Sequence, residues 1–187
     1  MKTVVWCICG SFCTIPANLE MMRSLADKYS IIPVLSEKAA SCDTRFTNAA
    51  RLIAEVEEIC GRKAILTVTD AEPLGPKLMP DLCLIAPTTG NTLAKLSHAI
   101  TDGAVTMAAK SVMRSGRPLL LSLATNDALG ANLENIGRMA ARRGCFFVPM
   151  RQDDPIAKPY SLVADTAQLA DAVEAAMAGR QLRPLFL

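Results

Sequence analysis

The sequence predicts an α/β fold of three layers, a doubly wound parallel sheet with helices on both faces. Three observations carry that prediction. Strand-like apolar runs alternate with amphipathic helical stretches from end to end, the strand runs lack the polar/apolar alternation of a half-exposed sheet, and the 51% of hydrophobic residues include only 4% aromatics. Continuous apolar strands are buried on both faces, which is what a parallel sheet between helical layers requires. Small aliphatic side chains suit close packing of helices on such a sheet. At 187 residues the chain fills one domain well and is short for two, so one domain over residues 1–187 is expected.

In chain order, "TVVWCIC" (3–9) reads as a first buried strand, and "IPANLEMMRSLADKY" as a helix with Pro16 in its first turn, where a missing N–H costs nothing. "IIPVLS" (31–36) is the second strand, and "NAARLIAEVEEICG" is an amphipathic helix closed by Gly61. A short strand is expected near "AILTV", then a loop through "DAEPLGPKLMPD", whose prolines and glycine break regular structure. "LCLIA" (82–86) and "PLLLSLA" (118–124) are further buried strands, separated by the "PTTGNT" loop and two helical stretches that reach Gly116. A helix over "NDALGANLENIGRMAARRG", a last strand "CFFVP" (145–149), a loop "MRQDDPIAKPYS" and a helix "DTAQLADAVEAAMAG" complete the pattern.

Composition excludes several classes. A formal net charge of +2 with interspersed signs gives no nucleic-acid footprint, and the cluster "RMAARRG" (138–144) falls near a helix C-terminus, where cations offset the dipole. No run of about 18 uncharged apolar residues exists to cross a membrane. Seven cysteines, odd in number and scattered, point to reduced thiols in the cytoplasm rather than a disulfide framework. Cys7, Cys9 and Cys13 lack a fourth partner at zinc spacing, so no metal site is expected.

In a doubly wound sheet, ligands bind outside the carboxyl ends of the strands. The chemistry is therefore sought in "CGSFCT", "SEKAASCDTRF", "PTTGNT" and "ATND". Gly10, Ser11 and Thr14 could cradle a phosphate at a helix start, although neither GxGxxG nor GxxxxGK[ST] is present. Ser36 is a further hydroxyl at that edge, serving as a cap or a phosphate contact. Thr88, Thr89, Asn91 and Thr92 crowd one strand end, with Gly90 expected to supply unusual backbone angles. Asn91, Lys95 and His98 would share one helical face. With a single histidine, no Ser-His-Asp or Cys-His set can be assembled, and no catalytic residue is assigned.

Together, "CGSF", "APTTGNTLAKLSHAITD" and "SLATNDALG" resemble the flavin-containing decarboxylases of the flavoprotein superfamily, which includes phosphopantothenoylcysteine decarboxylase and flavin prenyltransferase. The resemblance implies a Rossmann-like flavoprotein fold, an FMN site at Gly10, Ser11, Ser36, Pro87, Thr88, Thr89 and Asn91, and a homo-oligomer, trimeric or larger. A closer resemblance, spread over "TRF", "AEPLGPKL", "MAAK", "TNDALG", "FFVPMRQDDPIAKP" and "SLVA", is to the B-subunit family of dipicolinate synthase. It implies oxidation of dihydrodipicolinate to dipicolinate during sporulation, together with an A subunit that binds NADP. Two carboxylates then need cationic or amide anchors, for which Arg45, Lys77, Lys95, Asn126 and Lys158 are the candidates. Asp153 and Asp154 are acid–base groups or a turn with a side-chain cap. The chain departs from the decarboxylases in having no histidine after its second or third strand, only "LATN" where they carry Pro-Ala-Met-Asn, and "RQDDPIAKPYS" in place of their late flap. A decarboxylase acting on a small carboxylated thiol and a non-catalytic partner that stabilises the A subunit are the alternative readings.

Overall fold

In the computed structural model, residues 1–75 and 77–187 are described. Five parallel strands form the body of the sheet: β1 (Lys2–Ile8), β2 (Tyr29–Leu35), β3 (Leu82–Thr88), β4 (Leu119–Thr125) and β5 (Cys145–Phe147), in the spatial order β2-β1-β3-β4-β5. The order reverses between β1 and β3, which makes their carboxyl ends the switch point where this topology opens a crevice.

The strands are buried on both faces, and successive residues feed two cores. Val5, Cys7, Cys83 and Ile85 join one core; Val4, Trp6, Leu82 and Leu84 join the other. The first core is covered by the short α4 (Val68–Ala71), α5 (Gly90–Ser97), α6 (Ala104–Arg114) and α7 (Leu133–Ala140), and the second by α1 (Ile15–Ala26), α2 (Glu37–Ser41), α3 (Ala49–Cys60) and α8 (Leu169–Met177). The apolar side of α6 is built from Ala104, Val105, Ala108, Ala109 and Val112, all buried, so its small residues serve the core. Local chemistry sets the helix ends. Asn48 accepts from the N–H of Arg51 to start α3, and Gly61 ends it in the left-handed conformation at φ 62°.

Four expectations are corrected. "AILTV" forms only a single bridge, Ile65 to Val34, and Val68 already begins α4. The loop expected over "DAEPLGPKLMPD" carries the end of α4 and a 3₁₀ turn, Glu72–Leu74. The helix expected from Asn126 starts at Leu133, because the main-chain carbonyl of Asp127 accepts the N–H groups of Gly130 and Asn132 and holds turns instead. "CFFVP" is not the last strand: β6 (Met150–Arg151) and β7 (Leu162–Ala164) form an antiparallel pair, with β7 against Ala124 and Thr125 of β4. The lower half of the β4 edge therefore pairs with β5 and the upper half with β7, which carries the 152–161 loop over the carboxyl end of the sheet. No described helix is long and apolar enough to cross a membrane.

Candidate functional site

A cavity of about 610 Å³ lies over the carboxyl ends of β1, β3 and β4. Its walls come from the Gly10–Thr14 turn, the Thr44–Phe46 loop, the start of α5, the end of β4, and the 152–163 segment. A second cavity of about 340 Å³ shares Gly10, Phe12, Thr89 and Asn91 with it and extends past Ser36 to Lys95 and Asp102. Both volumes fall in the range of small-ligand sites.

The donor set at the junction is backbone N–H and hydroxyl. Thr89 caps α5 through its side chain, which accepts from the N–H of Thr92, leaving the first-turn N–H groups of Gly90 and Asn91 without intrahelical acceptors. Beneath them Cys9 is fully buried; Thr92 Oγ1 donates to its sulfur at 3.2 Å. Burial pushes the Cys9 thiol up to about 11, so it packs as a neutral group under the site. Ser11 Oγ accepts from Thr14 Oγ1 at 3.2 Å, and Ser36 Oγ caps α2 by accepting from the N–H of Ala39. Gly90 is not left-handed. It is required because a Cβ there would lie 2.6 Å from Asn132 Nδ2 and 2.6 Å from Thr125 Oγ1.

The fold brings together Gly10, Ser11, Thr89, Asn91, Arg45, Asn126 and Lys158 in the larger cavity, and Ser36 and Lys95 in the smaller. Three of the expected positions do not line either of these two cavities. Thr88 is fully buried and its hydroxyl donates to the carbonyl of Ile85 at 2.6 Å, so it closes an irregularity of β3 and lines neither of these two cavities. Pro87 lines an adjoining chamber of about 220 Å³, beside Asn18 and Ser122, that shares Cys13, Thr14, Ala124 and Val163 with the larger cavity. Lys77 follows Gly75, which packs on the carbonyl of Ser111 late in α6, and so lies toward the amino edge of the sheet, away from both cavities. His98 is likewise displaced from the face it was expected to share with Asn91 and Lys95: it caps the end of α5 and meets Arg138 of α7.

Electrostatics distinguish the cationic anchors. Lys95 pairs with Asp102 at 2.7 Å and Lys158 pairs with Asp153 at the mouth of the larger cavity, whereas the Arg45 guanidinium stacks 4.7 Å from the Phe46 ring centroid. Asp154 is the turn cap, accepting from the N–H groups of Ile156 and Ala157, while Asp153 lines the cavity. Sequence reasoning missed Phe12, Phe46 and Ser161 as lining residues, since isolated aromatics and a serine in a loop carry no spacing signal.

A model of the flavoprotein family matches residues 1–178. Over all 187 residues the chain is 40% identical to the dipicolinate synthase B subunit of Bacillus subtilis (strain 168), covering 94% of that protein. The chain belongs to the flavoprotein family, on its dipicolinate synthase B-subunit branch. The crystal structure of the dipicolinate synthase B subunit from Bacillus halodurans superposes on this flavoprotein with a TM-score of 0.91 at 36% identity, over 100% of this chain and 96% of that one. The FMN-dependent cysteine decarboxylase SpaF shares the fold with a TM-score of 0.68 at 21% identity, over 95% and 96% of the two chains. The family accounts for the three-layer architecture and for the crevice at the β1/β3 switch point.

The residues present fit FMN. The larger cavity has the volume for a small cofactor, the junction offers N–H and hydroxyl donors suited to a phosphate, and Gly10 leaves a Cβ-sized space 3.4 Å from Phe12 and Lys38.

Proposed function

We propose that this flavoprotein is the B subunit of a dipicolinate synthase, which oxidises dihydrodipicolinate to dipicolinate together with an NADP-binding A subunit. The supporting observation is the convergence of a phosphate-type cradle (Gly10, Ser11, Thr89, Asn91) with carboxylate anchors (Arg45, Asn126, Lys158) around one cavity, in a chain 40% identical to a dipicolinate synthase B subunit over its full length.

Gly10, Ser11, Ser36, Thr89 and Asn91 are the residues that would hold FMN; Lys95, expected as a carboxylate anchor, lines not the larger cavity but the smaller one, with Ser36, where its cation would serve the phosphate instead. FMN, when bound, supplies a two-electron acceptor. Arg45 and Lys158 orient the two carboxylates of the substrate, Arg45 through its planar fork and Lys158 as a point charge steadied by Asp153. The Asn126 amide adds a neutral contact at the end of β4. Phe12 and Phe46 give the planar ring apolar walls. Oxidation removes a hydride and a proton from the ring; Asp153, which lines the cavity beside Lys158, is the carboxylate placed to take that proton, and either FMN in this site or NADP on the A subunit would supply the two-electron acceptor. Arrangement of several charged contacts around one ring supplies orientation, which is the main demand of a reaction that gains aromaticity.

The decarboxylase alternative is weakened by His98, the one histidine, which lies outside both cavities. Co-purification with an A subunit, followed by a dipicolinate assay with NADP in the presence and absence of FMN, tests the proposal. Full turnover by the A subunit without this chain would overturn it. Assembly into a homo-oligomer is part of the proposal and is checked by light scattering.

A further inference from the structure

A chain of side-chain hydrogen bonds runs from the cavity to the protein surface, its direction set by a carboxylate at one end and a guanidinium at the other. At the cavity end, both oxygens of Asp127 are occupied: Oδ1 accepts from Thr125 Oγ1 at 2.6 Å, and Oδ2 accepts from Asn132 Nδ2 at 2.9 Å. A carboxylate only accepts, so the Asn132 amide must present its nitrogen to Asp127 and its oxygen outward. That oxygen accepts from Asn135 Nδ2 at 3.0 Å, which turns Asn135 Oδ1 toward Ser97; Ser97 Oγ donates to it at 2.6 Å. Ser97 Oγ, which also reaches the Ala94 carbonyl at 2.9 Å, accepts from His98 Nδ1–H at 2.8 Å, a proton that the same carbonyl 2.9 Å away directs to Nδ1. With the Nδ1–H tautomer that the Ala94 carbonyl selects, His98 Nε2 is the acceptor facing Arg138 Nη1 at 3.3 Å. The chain thus starts at a cation that can only donate and ends at an anion that can only accept, the arrangement in which neighbouring bonds polarise one another favourably. Asn132 and Asn135, its middle members, are 6% and 8% exposed.

Its location gives it a role. The chain grips α5 at both ends: Ser97 and His98 hold the C-terminal turn, while Thr125, Asp127 and Asn132 close on Gly90, where an added Cβ would meet the three at 2.6–3.0 Å. Gly90 and Asn91 line the larger cavity. We propose that Asp127 and Asn132 are positioning residues, which set where the first turn of α5 presents Gly90 and Asn91 to the bound ligand. The inference rests on reading that cavity as the ligand site, but its test does not depend on the identity of the ligand.

The pairing can be broken and rebuilt. Asn132→Asp places a carboxylate against Asp127 and removes the donor between them; adding Asp127→Asn restores one donor and one acceptor with the direction reversed. Hydrogen exchange is followed by mass spectrometry in the full chain, with FMN titration alongside. Asn132→Asp is expected to accelerate exchange of the Leu93–Ser97 amides roughly tenfold, the worth of one hydrogen bond to a charged group, and to weaken FMN binding. Exchange in α1 and α3 stays unchanged, and the double variant recovers both readouts. Unchanged exchange in α5, acceleration spread evenly over all helices, or a double variant no better than the single one would each overturn the proposal. If the unaltered chain does not bind FMN, the cofactor reading fails while the exchange pattern still decides this one.

Discussion

Lys95 Nζ lies 2.7 Å from Asp102 Oδ2 at the far end of the smaller cavity. The hydrogen bond from Lys95 holds the Asp102 carboxyl below its ordinary value. A depressed folded-state value adds stability that is present above the unfolded value and is lost as pH falls through the folded one. The Asp102 side chain is 52% exposed, so the pair is worth at most roughly 1 kcal/mol after screening. Asp102→Asn is therefore expected to leave stability nearly unchanged while releasing Lys95, and inorganic phosphate then binds more tightly, as isothermal titration at low ionic strength would record.

Arg45 and Lys158 share the larger cavity and Lys77 does not. Arg45→Ala and Lys158→Ala are each expected to raise KM for the dicarboxylate by roughly ten- to a hundredfold, the usual worth of a hydrogen bond to a charged group. Steady-state kinetics of the assembled synthase should show Lys77→Ala indistinguishable from the unaltered enzyme.

Thr88 spends its hydroxyl on the carbonyl of Ile85. Thr88→Val keeps the shape, removes that bond and leaves the carbonyl short of a partner, a loss of about 1–3 kcal/mol in urea unfolding. FMN affinity should be unaffected; a Kd weakened as much as by Asn91→Ala would return Thr88 to the ligand site.

At Gly90 the constraint is space. Gly90→Ala forces a methyl into contact with Asn132 and Thr125, and overpacking of this kind costs roughly 1–3 kcal/mol. Thermal unfolding should register the loss, with ligand affinity falling in parallel.

Burial pushes the Cys9 thiol up to about 11 and the Cys145 thiol up to about 12, against an ordinary value of 9.0. These groups are neutral in the fold, so their contribution is complete below the unfolded value and is lost as pH rises through the folded ones. Stability should decline as pH rises from about 9. In native alkylation near neutral pH, exposed Cys13 should react while Cys7, Cys9, Cys83 and Cys145, all buried, are spared.

The parallel strands were legible because burial on both faces demands an unbroken apolar run, and "LCLIA" or "PLLLSLA" can be little else between helical patterns. The β6–β7 pair was not, because Met150–Arg151 and Leu162–Ala164 are too short to show a period. Likewise, the apolar spacing of "NDALGANLENIG" fits a helix, and only the folded chain explains why turns persist to Leu133: the Asp127 carbonyl accepts the N–H groups of Gly130 and Asn132 while its side chain engages Thr125 and Asn132.

Amino-acid pattern alone sets the layered fold and the loops that meet at the carboxyl edge of the sheet, since unbroken apolar runs mark buried strands and a doubly wound sheet gathers the loops after its strands at that edge. Only the folded chain sorts the polar groups in those loops into those that face a ligand and those that do not. Thr88 and Thr89 are adjacent and chemically identical, yet one hydroxyl is consumed by a strand carbonyl and the other caps a helix at the cavity. The same holds for Lys77 and Lys158, which sequence treats alike and the fold sends to opposite edges of the sheet. The physical reason is that a buried hydrogen-bonding group must find a partner in the folded chain, and the supply of partners is set by distant segments brought together in space.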